Sequence, residues 1–534
     1  VNAAQVRRLG VVGAGTMGSG IAQVAALAGY ETHLHDPVSD ALERGLEMLQ
    51  VGLEKGVKRG RWTGGDAELA LQRVHRAERI EDLAGCDLVI EAAPEDMKLK
   101  RSLFTKLADV CGSQTVLATN TSSLPVTALA TAAANPSRVI GMHFFNPPVL
   151  MELLEVIAGS ESDPDAVGLA RAVGERMGKR VIVARDGPGF LANRCARPFG
   201  MEAVKLLAEN VADHATIDRV VRMGGGFRMG PFELADLVGI DVGFEVTKSF
   251  WEQSFHEPRW RPSMIQARMV QAGRFGRKAG RGYYDYSGEA HRPDDPEPPE
   301  AGGGNGVVVV AGEGRLADDL RDAAADAGYE VLDIEQINGD APDILIDAVT
   351  GRSPLEAEPT IDDPETLVLA LCVDGSLAEL DTRGGAVGFH ALPPLAESQL
   401  IEMTRSSETR ERDAGRAEQF FRSLGKHVEW VGDAPGLVLG RVVCQLVNEA
   451  AFAVSEGVGS PEDVDVAMRA GYNFPRGPLE WADQIEIDHV LSTLDSLYEE
   501  LKEERYRAAP LLRRMVAEGA IGEATGRGFF SYDD

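Results

Sequence analysis

"RRLGVVGAGTMGSGIAQVAALAGYETHLHD", residues 7–36, decides how this chain is read. Residues 7–12 have the apolar run of a buried strand, 16–28 the periodicity of a helix, and 30–35 the pattern of a second strand. Between the first strand and the helix stands Gly13-x-Gly15-x-x-Gly18, and Asp36 comes 21 residues after Gly15. Gly13 permits the tight turn, Gly15 lets the backbone approach a pyrophosphate, and Gly18 lets helix and strand pack closely. The free N–H groups and positive end of the helix then attract the phosphates. A carboxylate at Asp36 accepts bonds from both ribose hydroxyls and repels a 2′-phosphate, so NAD is expected rather than NADP. The competing reading is a structural glycine-rich turn. Strand, helix and acid all in register favour the dinucleotide.

The rest of the first half agrees with this start. "CDLVIEAA" (86–93), "TVLATNT" (115–121) and "RVIGMHFF" (138–145) read as further strands between helical stretches. That alternation predicts a parallel, doubly wound α/β sheet of Rossmann type. After Pro188 the pattern turns helical to about residue 275, with "NRCARPFGMEAVKLLAEN" the clearest helix. "SGEAHRPDDPEPPEAGGGNG" (287–306) is rich in Pro, Gly and acids and reads as a linker.

The two sides of this linker resemble each other. "GVVVVAGEGRLADDLRDAAADAGYEVLDIE" (306–335) restates the opening, with Gly312 against Gly13 and Glu335 against Asp36. At an offset of 247, "GMHFFNPPVLMELLEV" meets "GFHALPPLAESQLIEM", "DGPGFLANR" meets "DAPGLVLGR", and "RMGPFELAD" meets "PRGPLEWAD". The halves close alike, on "GRGYYDY" and "GRGFFSY". The pattern is that of a tandem duplication. The expected organisation is a Rossmann domain (1–185), a helical domain (186–286), the linker (287–306), a shortened, degenerate Rossmann-like domain (307–430) and a second helical domain (431–534).

Composition narrows the function. The 534 residues carry a net charge of −30, which argues against unaided binding to nucleic acid or anionic membranes. No apolar run approaches the ~20 residues of a membrane span. The opening "VNAAQVRR" has neither the apolar core nor the cleavage pattern of a signal peptide. The five cysteines are scattered, without a CxxC pair, so no metal site or disulfide framework is expected and a reducing, cytoplasmic setting fits.

Open α/β sheets bind ligands at the carboxyl ends of their strands. Four side chains arrive there. Ser122 comes just after one strand, His143 ends another, Glu155 lies 12 residues on in an apolar stretch, and Asn193 opens the helix after "PGF". A His with a buried Glu behind it makes a general base, because the carboxylate fixes the tautomer and stabilises the imidazolium. Singly, each has a blander reading as a structural histidine, a turn serine or a capping asparagine.

"GAGTMGSGIA", "NTSSL", "GMHFFNPP" with "LLEVI", "DGPGFLANR" and "GPFELAD" together resemble the L-3-hydroxyacyl-CoA dehydrogenases, over residues 6–286. The resemblance implies NAD-dependent oxidation of a (S)-3-hydroxyacyl-CoA, with His143 as base, Glu155 as its partner, and Ser122 and Asn193 on the substrate oxygens. It implies NAD contacts from Gly13, Gly15, Thr16, Met17, Gly18, Asp36, Glu95, Lys100, Asn120, Ser122, Asn146 and Lys278. A solvated helix face is the blander reading of Glu95 and Lys100. A helical arm after the second strand contacts CoA in the family, and "EKGVKRGR" (54–61) supplies Lys55, Lys58, Arg59 and Arg61 there; an ordinary solvated basic turn is the equal alternative.

The tandem form resembles bacterial 3-hydroxybutyryl-CoA and 3-hydroxyadipyl-CoA dehydrogenases, which places it in fatty-acid β-oxidation or phenylacetate-type degradation. No enoyl-hydratase module precedes the fingerprint in this chain. Two alternatives stand beside this reading: a dehydrogenase of a free 3-hydroxy acid, of gulonate type, and a non-catalytic NAD-binding protein.

The second copy is not expected to work alone. Glu313 sits in its glycine loop, eight residues separate Glu335 from the strand at Ile344, "LCVDGSL" replaces the Ser122 region, and Gly440 replaces Asn193. His390 and Glu402 keep their places. In the family the helical domains pair two subunits. Here residues 433–534 are expected to pair with 186–286 within one chain, and a further homodimer is compatible with that.

Overall fold

The computed structural model describes residues 6–288, 290–336, 341–351, 363–381 and 384–532; the side chain of Glu335 lies outside that description. The chain divides into two compact units, Val1–Arg194 with Glu456–Tyr472, and Cys195–Ser455 with Asn473–Asp534.

The first unit is built on an eight-stranded sheet. Its strands are β1 (Arg8–Val12), β2 (Glu31–His35), β3 (Val74–Ala77), β4 (Leu88–Glu91), β5 (Val116–Thr119), β6 (Val139–Phe144), β7 (Leu153–Ala158) and β8 (Arg180–Arg185), in the order β3-β2-β1-β4-β5-β6-β7-β8. The order reverses between β1 and β4, which puts the switch point of the sheet at the end of β1. β4, β5 and β6 are buried along their whole length, because helices cover both faces. Ile21 and Ala25 of the helix Thr16–Leu27 share one core with Val11, Ile90, Ala118 and Met142 of the sheet.

The sheet departs from the wholly parallel one expected from the sequence, because β7 runs antiparallel to β6. Only residues 145–152 join the two strands, too few for a parallel crossover. The antiparallel register sets His143 directly opposite Glu155.

The second unit holds a seven-stranded mixed sheet. Its strands are β9 (Val307–Ala311), β10 (Glu330–Leu332), β11 (Ile344–Asp347), β12 (Leu367–Leu371), β13 (Val387–His390), β14 (Leu400–Arg405) and β15 (His427–Trp430), in the order β10-β9-β11-β12-β13-β14-β15. This is the order of the first sheet without its outermost strand, and again one pair, β13–β14, is antiparallel, with His390 opposite Glu402.

Helices from both halves of the sequence fill the rest of this unit. Asp236 accepts the N–H groups of Tyr283 and Tyr284 and the hydroxyl of Tyr286. Asp483 does the same with Phe529, Phe530 and Tyr532. "GRGYYDY" and "GRGFFSY" are thus two copies of one closure, each wrapped on a buried aspartate.

The stretch 287–306 is pinned at several points. Asp295 pairs with Arg222 at 2.7 Å, Arg292 with Glu233 at 2.6 Å, and Gly302 donates to the Ser423 carbonyl at 2.8 Å.

Candidate active site

The glycine loop has the shape its sequence requires. Gly13 is left-handed at φ 99°, and a Cβ there would sit 2.6 Å from the Ala92 carbonyl oxygen. A Cβ on Gly18 would lie 1.7 Å from the Gly13 oxygen, whereas one on Gly15 would meet nothing within 4 Å. Gly15 therefore fronts open space, where a phosphate would sit, and no side chain caps the helix that starts at Thr16. Thr16 is exposed and Met17 packs partly against the core. Asp36 accepts from the backbone of Ala14 (3.0 Å) and Val38 (2.9 Å), which holds its carboxylate beside the loop. These residues fit a dinucleotide. Gly18→Ala is expected to weaken NADH binding about tenfold or more, since the new methyl must displace the loop; a fluorescence titration of NADH checks this.

The histidine–glutamate pair expected from the sequence is assembled. His143 Nδ1 meets Glu155 Oε2 at 2.7 Å, and His143 Nε2 meets Ser122 Oγ at 3.1 Å. The other Glu155 oxygen accepts the backbone N–H groups of Leu191 (3.1 Å) and Ala192 (2.8 Å) at the start of the helix Ala192–Ala208. Both oxygens of this buried carboxylate thus face donors, which offsets the cost of its burial. The turn that aims these two amides passes through Gly189 (φ 70°) and Phe190 (φ 53°), and the Phe190 ring packs 5.9 Å from the His143 ring. Ser122 is exposed while His143 is buried, so only one edge of the imidazole faces the cleft.

The loop carrying Ser122 is clamped from behind. Glu95 accepts from the Thr121 hydroxyl and the amides of Ser122 (3.0 Å) and Ser123 (3.1 Å). Burial alone would raise the Glu95 pKa, but those bonds and the Lys100 ammonium carry it below the ordinary range. Lys100 is not on a solvated helix face. It is buried, 1% exposed, and its Nζ bonds Glu91 at 2.7 Å and approaches Glu95 at 3.4 Å. Glu91 went unnoticed in the sequence because it reads as the last residue of an apolar strand. Asn120 accepts from the Phe144 amide at 2.8 Å, which ties the ends of β5 and β6 together.

The remaining site residues expected from the sequence are more dispersed. Asn146 is exposed just beyond β6. Asn193 sits in the first turn of Ala192–Ala208, where its carboxamide oxygen meets the Tyr472 hydroxyl. Lys55 and Lys58 end the helix Ser39–Lys58 and are exposed with Arg59 and Arg61. Trp62 closes that arm by donating to the Leu53 carbonyl at 2.9 Å and packing on Gly56. A cavity of about 500 Å³ is lined by Arg61, Trp62, Met151 and Lys179, among others, and none of the dyad residues borders it. Lys278 belongs to the second unit, where its ammonium is held by Asp241 at 2.6 Å.

The corresponding place in the second sheet has collapsed. His390 Nδ1 lies 3.6 Å from Glu402, and neither of its ring nitrogens has a hydrogen-bond partner among the described residues. A Cβ on Gly440 would sit 2.4 Å from the His390 ring, so the imidazole fills the space an asparagine would need. Burial pushes His390 down to about 3 and Glu402 up to about 8, which leaves both neutral. His489, 5.8 Å from His390 between ring centres, is likewise pushed down to about 3, first by burial and then by His390.

A histidine that stays neutral when folded adds stability that is complete above its unfolded pKa of 6.5 and drains away as pH falls toward 3. His489→Leu is therefore expected to remove a slope of up to ~1.4 kcal/mol per pH unit below about pH 6.5. Denaturant unfolding of both forms at pH 7 and pH 5 measures it. An identical pH 7-to-5 difference in the two proteins would contradict the assignment.

Comparison with known proteins agrees with this geometry. The NAD-binding domain of the 3-hydroxyacyl-CoA dehydrogenases matches residues 8–187, and the C-terminal domain of the same family matches twice, at 189–286 and 436–532. The chain belongs to the 3-hydroxyacyl-CoA dehydrogenase family. It is 35% identical to the 3-hydroxyadipyl-CoA dehydrogenase of Escherichia coli K12 over 510 residues, 95% of this chain and 97% of that one. A probable 3-hydroxybutyryl-CoA dehydrogenase of Deinococcus radiodurans is 40% identical over 279 residues, 52% of this chain and 100% of that one. The crystal structure of 3-hydroxybutyryl-CoA dehydrogenase from E. coli K12 aligns with a TM-score of 0.81 at 33% identity, covering 96% of this chain and 99% of that one. The dehydrogenase is thus an NAD-dependent oxidoreductase acting on 3-hydroxyacyl-CoA. Among its described residues, no helix is long and apolar enough to cross a membrane.

Proposed function

We propose that the dehydrogenase oxidises a short-chain or dicarboxylic (S)-3-hydroxyacyl-CoA at the cleft between the glycine loop and His143. The observation that carries this is the hydrogen-bonded series Ser122–His143–Glu155 at the carboxyl edge of the sheet. His143 Nε2 takes the proton of the C3 hydroxyl, and Glu155 stabilises the imidazolium that results. Ser122 Oγ donates to the oxygen as it becomes a carbonyl, and Asn193 donates to the thioester oxygen. Bound NAD supplies the hydride acceptor. Glu95, Lys100 and Asn120 act by holding the Ser122 loop and the strand ends in place, and Asn146 borders the cleft. The exposed cations Lys55, Lys58 and Arg59 meet the CoA phosphates, which a protein of net charge −30 attracts only through such a local patch.

The second half is a duplicated copy that has lost its own site and serves as a packing partner, with its helices against those of the first copy. Five buried free cysteines suit a reducing, cytoplasmic setting. NADH oxidation with acetoacetyl-CoA, 3-oxoadipyl-CoA and free acetoacetate tests the substrate class. Both thioesters are expected to turn over and the free acid is not. Equal rates with the free acid would overturn the CoA reading, and the ratio of the two thioesters fixes the chain preference.

A further inference from the structure

The second half of the sequence contributes a segment to the catalytic unit. Residues 456–472 pack with the first sheet, in the first compact unit. Glu456 pairs with Arg194 at 2.8 Å, and the Val458 carbonyl accepts from the Arg185 amide at 3.0 Å. Gly459 lies against Leu191, and Gly471 against Leu153 and Phe145. The helix Pro461–Tyr472 thereby delivers its last residue, Tyr472, to the cleft.

Tyr472 makes two contacts there. Its hydroxyl donates to Asn193 Oδ1. Its ring stands edge-on to Phe145 at 6.3 Å, and Phe145 packs 4.7 Å from the His143 ring. An asparagine amide has a donor end and an acceptor end, and left alone it can flip. A phenol fixed against the oxygen end leaves the Nδ2 hydrogens as the end presented to a ligand. The repeat itself does not call for this group, since the position 247 residues earlier is Gly225.

We infer that Tyr472 is a positioning residue for the dehydrogenase reaction, supplied by the second repeat, which orients the Asn193 carboxamide toward the substrate carbonyl. The inference rests on the reading of Asn193 as a substrate contact. It gives the second half a part in the reaction, exerted through Asn193.

Four proteins test it: wild type, Tyr472→Phe, Asn193→Ala and the double variant, each assayed with acetoacetyl-CoA and NADH. Tyr472→Phe keeps the ring and its packing. It is expected to lower kcat/KM for acetoacetyl-CoA about tenfold, the worth of one hydrogen bond at a reacting group, with NADH affinity and unfolding temperature unchanged. On the Asn193→Ala background the same substitution is expected to change nothing, because the tyrosine has no amide left to orient. A fully active Tyr472→Phe beside an impaired Asn193→Ala overturns the tyrosine inference alone. A full further tenfold loss in the double variant also overturns it, since Tyr472 would then act independently of Asn193. A fully active Asn193→Ala overturns the substrate-contact reading and the inference with it.

Discussion

His143→Gln is expected to lower kcat with acetoacetyl-CoA by about 10²–10⁴-fold, the usual worth of a positioned general base, while NADH binds as before. The glutamine can still meet Ser122, so the cleft keeps its polarity. What is lost is a proton-accepting ring nitrogen backed by a carboxylate 2.7 Å behind the imidazole. Glu155→Gln acts through the histidine. Its carboxamide oxygen can keep the N–H groups of Leu191 and Ala192, which turns the NH2 group toward His143 Nδ1 and forces the ring proton onto Nε2, where it blocks the base. Activity should therefore fall in both variants, and only Glu155→Gln leaves an imidazole in place. Steady-state kinetics, an NADH titration and thermal unfolding of both variants separate the two roles. Unchanged kcat in His143→Gln would remove the base assignment.

Arg441→Ala is expected to destabilise the second unit by ~3–5 kcal/mol, the cost of leaving a buried carboxylate without its partner. The Arg441 side chain is 1% exposed. Its guanidinium bonds Glu202 at 2.7 and 2.9 Å, Glu209 at 2.7 Å and the Tyr506 hydroxyl at 2.8 Å. Glu202 comes from the first helical repeat, Arg441 and Tyr506 from the second, so this network is a polar tie between the two copies. Arg441→Met combined with Glu202→Leu removes both charges and is expected to recover most of the loss, because a buried ion pair is worth little more than apolar packing of similar volume. Calorimetry resolves the transition that moves. A single variant as stable as wild type would mean that water reaches Glu202.

Much of the site could be read along the chain because its parts are local. Gly13, Gly15 and Gly18 share one turn, and their spacing reflects the steric demands of that turn. His143 and Glu155 sit on neighbouring antiparallel strands, so a separation of 12 residues already encodes a contact. Lys100 shows where such reading ends. Its sequence neighbours are charged, and the approach of Glu91, from the strand that precedes its helix, explains a buried ammonium. His390 and Glu402 show the opposite failure: the letters of the dyad survive, but the ring has moved into the room left by Gly440.

By itself, then, the sequence determined the nucleotide-binding fold and the pairing of His143 with Glu155, because strand and helix periodicities and tight-turn glycines are written in neighbouring residues. The tertiary structure alone decided which side chains support that pair, from Glu91 behind Lys100 to Tyr472, which meets Asn193 across 279 residues of chain. Contacts at such separation leave no periodic trace, since packing selects them for shape and hydrogen bonding after the local elements have formed.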